Sequence, residues 1–418
     1  MSKVKSDIIN ITSKVTIISV IGNALNIPLK MLTASLLLPA GYGILSLANT
    51  IQNYASHVDL GAHLGMNREI PILLGQKKEQ EASIIALLTF YWMSFVTVVI
   101  CLVFAIFLYF DSLPNIFTFA EVIFILIIIL LSRATKYLLN YIRPYGNFSG
   151  IPAKSSIDML LFPILSVLLA YYYNVTGVLF AQLVCVFLLF YLVLGYYRSI
   201  EKIQIDYKFR FRDLYDFLLR NINLYYRSLI TNVYLLFEIT VIVILLSSED
   251  LGIYAFALGL YTSLGGIKAS IDEIVQRQML YEKGELGSQK DYSGFMKYFR
   301  TNFFLYLFFL VLLFGTASIV FTRLIDFFLI DFFPSIIISV VLFLEILFFS
   351  SATIPFLFLN SLGRLKTNTL IISFSLAIKI FFTIILIHFD KISLLNIAYV
   401  SLFGSFVFFT ITFLVSTK

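Results

Sequence analysis

Charge is scarce in this 418-residue chain: Asp, Glu, Lys and Arg make up only 13% of it, about half the share of a soluble globular domain. That excludes a soluble globular protein. Histidine is rarer still, and His57, His63 and His388 are too scattered, with no H-E-x-x-H and no Cys/His cluster, to make a metal site. Cys101 and Cys185, the two cysteines, lie inside apolar runs and supply no disulfide framework. No G-x-x-x-x-G-K-[ST] loop occurs, which excludes ATP hydrolysis by this chain, and no cofactor is implied. Strict alternation of polar and apolar residues is missing too, which excludes a transmembrane barrel.

What the chain has is apolar length. Hydrophobic residues reach 60% and aromatics 17%, with a mean hydropathy of +0.94. At about 20 apolar residues per helical span, that is enough for roughly a dozen spans. Runs such as IFILIIILLS at 123–132 need helices, because lipid offers nothing else to satisfy the backbone. Hydropathy predicts spans near 14–38, 41–63, 82–109, 115–141, 153–173, 176–197, 222–246, 251–275, 300–321, 334–360, 367–388 and 392–415. The N-terminal MSKVKSDIINITSK has no cleavage site and reads as retained and cytoplasmic. Lys and Arg then crowd the inner side, with only Arg323 and Lys391 outside, as the positive-inside rule demands. Asp111, Glu249, Asp250, Asp326, Asp331 and Asp390 populate the outer loops. Both ends are therefore expected in the cytoplasm.

An offset of 209 aligns GILSLA at 43–48 with GIYAFA at 252–257, Arg68 with Arg277 and Gly75 with Gly284. The expected fold class is all-α and polytopic, with about twelve transmembrane helices in two pseudo-symmetric six-helix bundles, parallel repeats about an axis along the membrane normal. Residues 1–200 form the first bundle, 201–220 a basic cytoplasmic linker and 221–418 the second bundle. In the linker, Tyr207, Phe209 and Phe211 alternate with Lys208, Arg210 and Arg212, a pattern suited to anionic headgroups rather than nucleic acid. Residues 65–81 read as a short interfacial piece leading to the third span.

Ionisable residues within spans are costly and point to function by default. Hydropathy places Lys30, Asp59, Glu121, Arg133, Lys136, Asp158, Arg227, Glu238, Lys268, Asp272, Glu273, Glu345 and Lys379 there. Asp59, Glu121, Asp272 and Glu273 are close enough to span ends for snorkelling to an interface. Helical spacing groups the others into faces: Asn23, Asn26, Lys30 and Thr33; Asn49, Gln52, Asn53, Ser56 and His57; Arg133, Lys136, Asn140 and Arg143; Arg227, Thr231, Tyr234 and Glu238; Ser375, Lys379 and Thr383. Such faces either glue helices together or line a water-filled cavity, and the excess of cations favours a cavity for an anionic ligand. Glu238 follows Lys30 at nearly the repeat offset, so those two are expected to face each other. The short outer loops leave little room for the glycan site of a membrane-embedded transferase.

Two segments carry a resemblance. PAGYGILSLANTIQNYASHVDLGAHLGMNREIPILLG and SSEDLGIYAFALGLYTSLGGIKASIDEIVQRQMLYEKG resemble Wzx-type O-antigen and polysaccharide flippases, a branch of the multidrug/oligosaccharidyl-lipid/polysaccharide exporter superfamily with a MATE-like fold. One departure is LLLPAGYG, where that family often has a basic residue before the glycine-containing outer turn. The resemblance implies a bacterial inner-membrane flippase, not an enzyme, carrying an undecaprenyl-diphosphate-linked oligosaccharide, such as an O-antigen repeat unit of lipopolysaccharide, between leaflets by alternating access. On that footing Lys30, Arg133, Lys136, Arg227 and Lys379 are the expected diphosphate-pairing cations, and Asn23, Asn26, Asn49, Gln52 and Asn53 the expected sugar contacts. Glu238, Asp158 and Glu345 are the expected proton or sodium carriers. Implied partners are the lipid-linked oligosaccharide, membrane lipids, a polysaccharide polymerase and a chain-length regulator, with no nucleic acid and a monomeric chain. Alternatives are a multidrug or toxin antiporter, a lipid II flippase, and a membrane-embedded polymerase or transferase of the same sugar pathway.

Overall fold

The computed structural model describes residues 2–109, 116–145, 150–198, 210–263, 293–361 and 364–417. Those residues are helical almost throughout, with no strand among them. In chain order the helices are α1 (Ser2–His57), α2 (Ala62–Gly75), α3 (Glu79–Tyr109), α4 (Phe119–Ile142), α5 (Gly150–Ser156), α6 (Phe162–Arg198), α7 (Phe211–Leu245), α8 (Ser248–Thr262), α9 (Ser293–Phe328), α10 (Ser335–Ser351), α11 (Thr353–Ser361), α12 (Leu365–His388) and α13 (Leu394–Ser416).

Nine helices among the described residues are long and apolar enough to cross a membrane, against the twelve spans expected. The chain is a multi-pass membrane protein. The difference in number lies in three places. α1 runs through the expected gap between the first two spans, broken at Leu38, whose φ of 58° interrupts the helix; Leu38 precedes Pro39, and the α region is disfavoured for a residue before proline. A single run from Pro152 to Arg198 covers two more expected spans and breaks at Asn174, φ 51°, asparagine being a residue type that tolerates positive φ. Gly177 beyond that break lies so close to the Leu169 carbonyl that a Cβ there would sit 2.0 Å from its oxygen. α8 is described only to Thr262, and residues 264–292, with Lys268, Asp272, Glu273, Arg277 and Gly284, lie outside the described residues, as do residues 199–209; the rest of the linker expected at 201–220 is not a loop, since α7 already begins at Phe211.

The second span ends at His57 rather than near residue 63, and the interfacial piece is α2, entered through Gly61 at φ 80°. Capping boxes start α4 at Thr118 with Glu121 and α8 at Ser247 with Asp250, satisfying backbone N–H groups that lipid leaves unpaired. Large apolar side chains such as Phe95, Leu102, Phe308 and Phe327 are exposed, the surface a bilayer solvates. Tyr171, Tyr172 and Tyr173, all exposed beside the Asn174 break, have the composition of a membrane–water boundary.

The described chain forms two compact units, residues 1–37 with 44–229, and residues 38–43 with 230–418. In the first, Met66, Ile85, Leu138, Ile142, Leu189, Val193 and Phe217 form a core around α2, α3, α4, α6 and the start of α7. In the second, Tyr234, Leu359, Ile371, Ile372 and Phe408 join α7, α11, α12 and α13. Within that second unit Gly43 and Gly252 touch reciprocally. A Cβ on Gly43 would lie 1.8 Å from the Ser248 carbonyl oxygen, and one on Gly252 would lie 1.8 Å from that of Pro39. Gly43 and Gly252, like Pro39 and Ser248, are 209 positions apart in sequence, so equivalent positions exchange equivalent contacts, as a local two-fold axis requires.

Candidate functional site

In the first unit a polar chamber of about 530 Å³ is lined by Asn49, Gln52, Asn53 and Ser56 of α1, Ile129, Ser132 and Arg133 of α4, Lys154 of α5 and Gln182 of α6. Three of the expected sugar contacts and one expected cation thus share one wall set. Helical spacing explains the α1 set: positions 49, 52, 53 and 56 make one face. Gln52 and Gln182 clasp each other through both amides, at 2.8 and 3.3 Å. Gln182 and Lys154 were missed from the sequence; Gln182 alone had a signal, a single amide in the apolar run VLFAQLVCVF.

Arg133 is buried and fixed. Its Nε donates to Thr97 Oγ1 at 2.8 Å, Nη1 to the Ala55 carbonyl at 2.6 Å and Nη2 to the Val58 carbonyl at 3.3 Å. Lys136 Nζ donates to the Ser56 carbonyl at 2.9 Å and stands 3.9 Å from Asp59. These carbonyls belong to the C-terminal end of α1, whose last acceptors have no partner in their own helix and carry the negative end of its dipole. The basic stripe expected to face ligand is therefore anchored to a helix end, and only Arg133 also borders the chamber. Asp59, expected near an interface, is instead fully buried, accepting from the Gly61 N–H at 3.0 Å and pairing with His63, while Trp92 Nε1 donates to its carbonyl at 2.8 Å. Glu121 is likewise buried, closing its capping box and accepting from Thr176 at 2.7 Å.

The remaining expected residues are placed elsewhere. Lys30 and Asn26 lie half-buried on the first limb of α1, away from the polar chamber's lining; Arg227 is half-buried on α7. Asn23 lies in α1 with its side chain outside the described residues. Asp158, expected as a buried carrier, is exposed and pairs with Lys154 one helical turn away.

A second polar cluster is sealed inside the other unit. Lys379 of α12, 1% exposed, reaches Glu238 of α7 at 2.6 Å and Ser401 of α13 at 3.2 Å, with its ammonium 3.7 Å from the centre of the Tyr234 ring. Ser405 Oγ donates to Glu345 of α10 at 2.9 Å and receives the Tyr234 hydroxyl at 2.9 Å. Glu238 was expected to face Lys30, and its cation is Lys379 instead. Gly404 makes room for the lysine stem, since a Cβ there would lie 2.5 Å from Lys379 Cγ. One ammonium and two carboxylates are thus held by four helices, a set that neutralises on taking up one further positive charge. Among the described residues, no three or more His, Cys, Asp or Glu side chains converge as a metal site.

No family model matches the sequence, and no curated protein matches it either. Solved structures do. A multidrug resistance MATE family transporter of the MOP superfamily, in its inward-facing conformation, aligns with a TM-score of 0.71 at 13% identity, covering 96% of this chain and 97% of that one. The lipid II flippase MurJ, inward closed, aligns with a TM-score of 0.72 at 13% identity, over 97% and 87%. A MOP superfamily transporter from Pyrococcus furiosus, described as having a binding pocket of reverse polarity, aligns with a TM-score of 0.65 at 14% identity, over 99% and 95%. The chain shares the fold of these transporters and of this flippase. Identities this low carry the fold and leave the cargo to the chemistry of the site.

Proposed function

We propose that this MOP-fold chain is a flippase that moves an undecaprenyl-diphosphate-linked oligosaccharide, such as an O-antigen repeat unit, from the cytoplasmic to the periplasmic leaflet by alternating access. The polar chamber carries this reading. Apart from Ile129 its lining is amide, hydroxyl and cationic, with no carboxylate among the lining residues. Asn, Gln and Ser offer both donors and acceptors to a run of sugar hydroxyls, while Arg133 supplies positive potential for a diphosphate. A multidrug antiporter exporting organic cations calls for the opposite lining. The Lys379–Glu238–Glu345 cluster is proposed as the ion-coupling element, Glu238 and Glu345 sharing the exchangeable charge; exposed Asp158 lacks the burial that role needs. The inner membrane, a monomeric chain and cytoplasmic termini belong to the same proposal.

The test is complementation of a flippase-null strain supplied with the matching glycan pathway, comparing wild type with Asn49→Ala/Asn53→Ala at equal membrane abundance. Surface polysaccharide restored by wild type and lost with the variant is the expected result. Drug resistance without polysaccharide would favour the antiporter instead. New glycosidic bonds formed by the purified chain would favour the transferase.

A further inference from the structure

Arg133 borders two cavities of opposite character. Besides the polar chamber, it lines a groove of about 930 Å³ between α3 and α4, closed at one side by Phe190, Leu194 and Tyr197 of α6. The groove exists because α3 packs on α2 and α4 packs on α6, while α3 and α4 meet only sparsely. Met93 and Leu138 are buried in its floor, and Phe90, Val98, Leu102 and Leu130 stand exposed around it. Its size falls in the range of about 300–1,000 Å³ typical of ligand sites.

We infer that this groove holds the hydrocarbon tail of the same lipid whose polar head enters the chamber, with Arg133 at the junction where the anionic linker lies. The inference rests on the cargo reading above. A polar cavity and an apolar one meeting at a single guanidinium match an amphiphile whose charge sits between head and chain. A guanidinium has five N–H donors. Among the described residues Thr97, Ala55 and Val58 receive three, which leaves two for phosphate oxygens. Exposed rim residues let a chain longer than the groove run out into the bilayer, so the tail never has to leave hydrocarbon. Arg133 itself is 3% exposed, so a lipid that reaches its guanidinium must place its charge at the junction of the two cavities.

The experiment uses the purified full chain in nanodiscs with a long-chain polyprenyl diphosphate carrying a photoreactive tail, labelled sites being mapped by mass spectrometry. Head binding is read separately from quenching of Trp92, the single tryptophan, which is bonded to Asp59 beside the Arg133 anchor, using geranyl diphosphate, too short to fill the groove. Expected are labels within 87–102, 130–138 and 190–197, competed by unlabelled polyprenyl diphosphate and not by phosphatidylglycerol. Ser94→Phe, which adds bulk at an exposed groove position, is expected to cut labelling about tenfold while shifting geranyl diphosphate affinity by less than about twofold; Ala134→Phe repeats the test from α4. Labels scattered elsewhere, equal labelling by a photoreactive phosphatidylglycerol, or no response to either substitution, with head binding intact, would overturn the groove assignment alone. Absence of binding of either diphosphate to the wild-type chain would overturn the cargo reading and the groove with it.

Discussion

Replacing Lys379 with methionine keeps most of the stem volume and removes the one cation that Glu238 and Glu345 share. At the observed 2.6 Å and an effective dielectric constant near 20, the lysine and Glu238 attract by about 6 kcal/mol. Much of that offsets the cost of removing both charges from water, so the intact pair adds little over an apolar equivalent. Losing one partner is different, because it leaves a buried carboxylate uncompensated, and the expected cost is about 3–5 kcal/mol. The ammonium over Tyr234 contributes within the same figure, at about 1–2 kcal/mol. Equilibrium SDS titration in mixed micelles measures the change. The Lys379→Met/Glu238→Gln double variant, which leaves Glu345 as the carboxylate of the cluster, is expected to regain about 1–3 kcal/mol over the sum of the singles. Additive singles, or a Lys379→Met loss below about 1 kcal/mol, would refute a sealed ion cluster and show the site to be solvated.

Three further outcomes follow from the geometry. Gly404→Ala drives a methyl into the stem of Lys379, whose tip is pinned, and should cost about 1–3 kcal/mol in the same titration, largely relieved when residue 379 is alanine. Gly43→Ala and Gly252→Ala each place a Cβ against a backbone carbonyl rather than a flexible side chain; each should cost about 3 kcal/mol or more and lower membrane abundance. Burial by itself would raise the pKa of Asp59, yet the His63 hydrogen bond and charge, the Lys136 charge and the Gly61 N–H bring it below its ordinary 3.8. A depressed carboxylate contributes stability above its unfolded pKa that disappears as pH falls through the folded one. The stability gap between wild type and Asp59→Asn should therefore shrink as pH falls below 3.8, read from unfolding midpoints against pH.

Span positions were legible because hydropathy accumulates residue by residue along the chain, and a helix in lipid satisfies its backbone without help from distant segments. The correspondence of Gly43 with Gly252 at an offset of 209 was legible for a related reason: both must lack a side chain where two backbones touch, and that demand is written at each position separately. The α1 face at 49, 52, 53 and 56 followed from helical period alone. Partner choice did not. Lys379 meets Glu238 across 141 positions and Gln52 meets Gln182 across 130, distances set by how helices cross rather than by spacing within any of them. The same holds for Arg133 and Lys136, whose stripe was visible but whose direction was not. Periodicity puts two cations on one face, and only the tertiary structure decided that this face meets the carbonyl end of α1, leaving Arg133 alone between a polar chamber and an apolar groove.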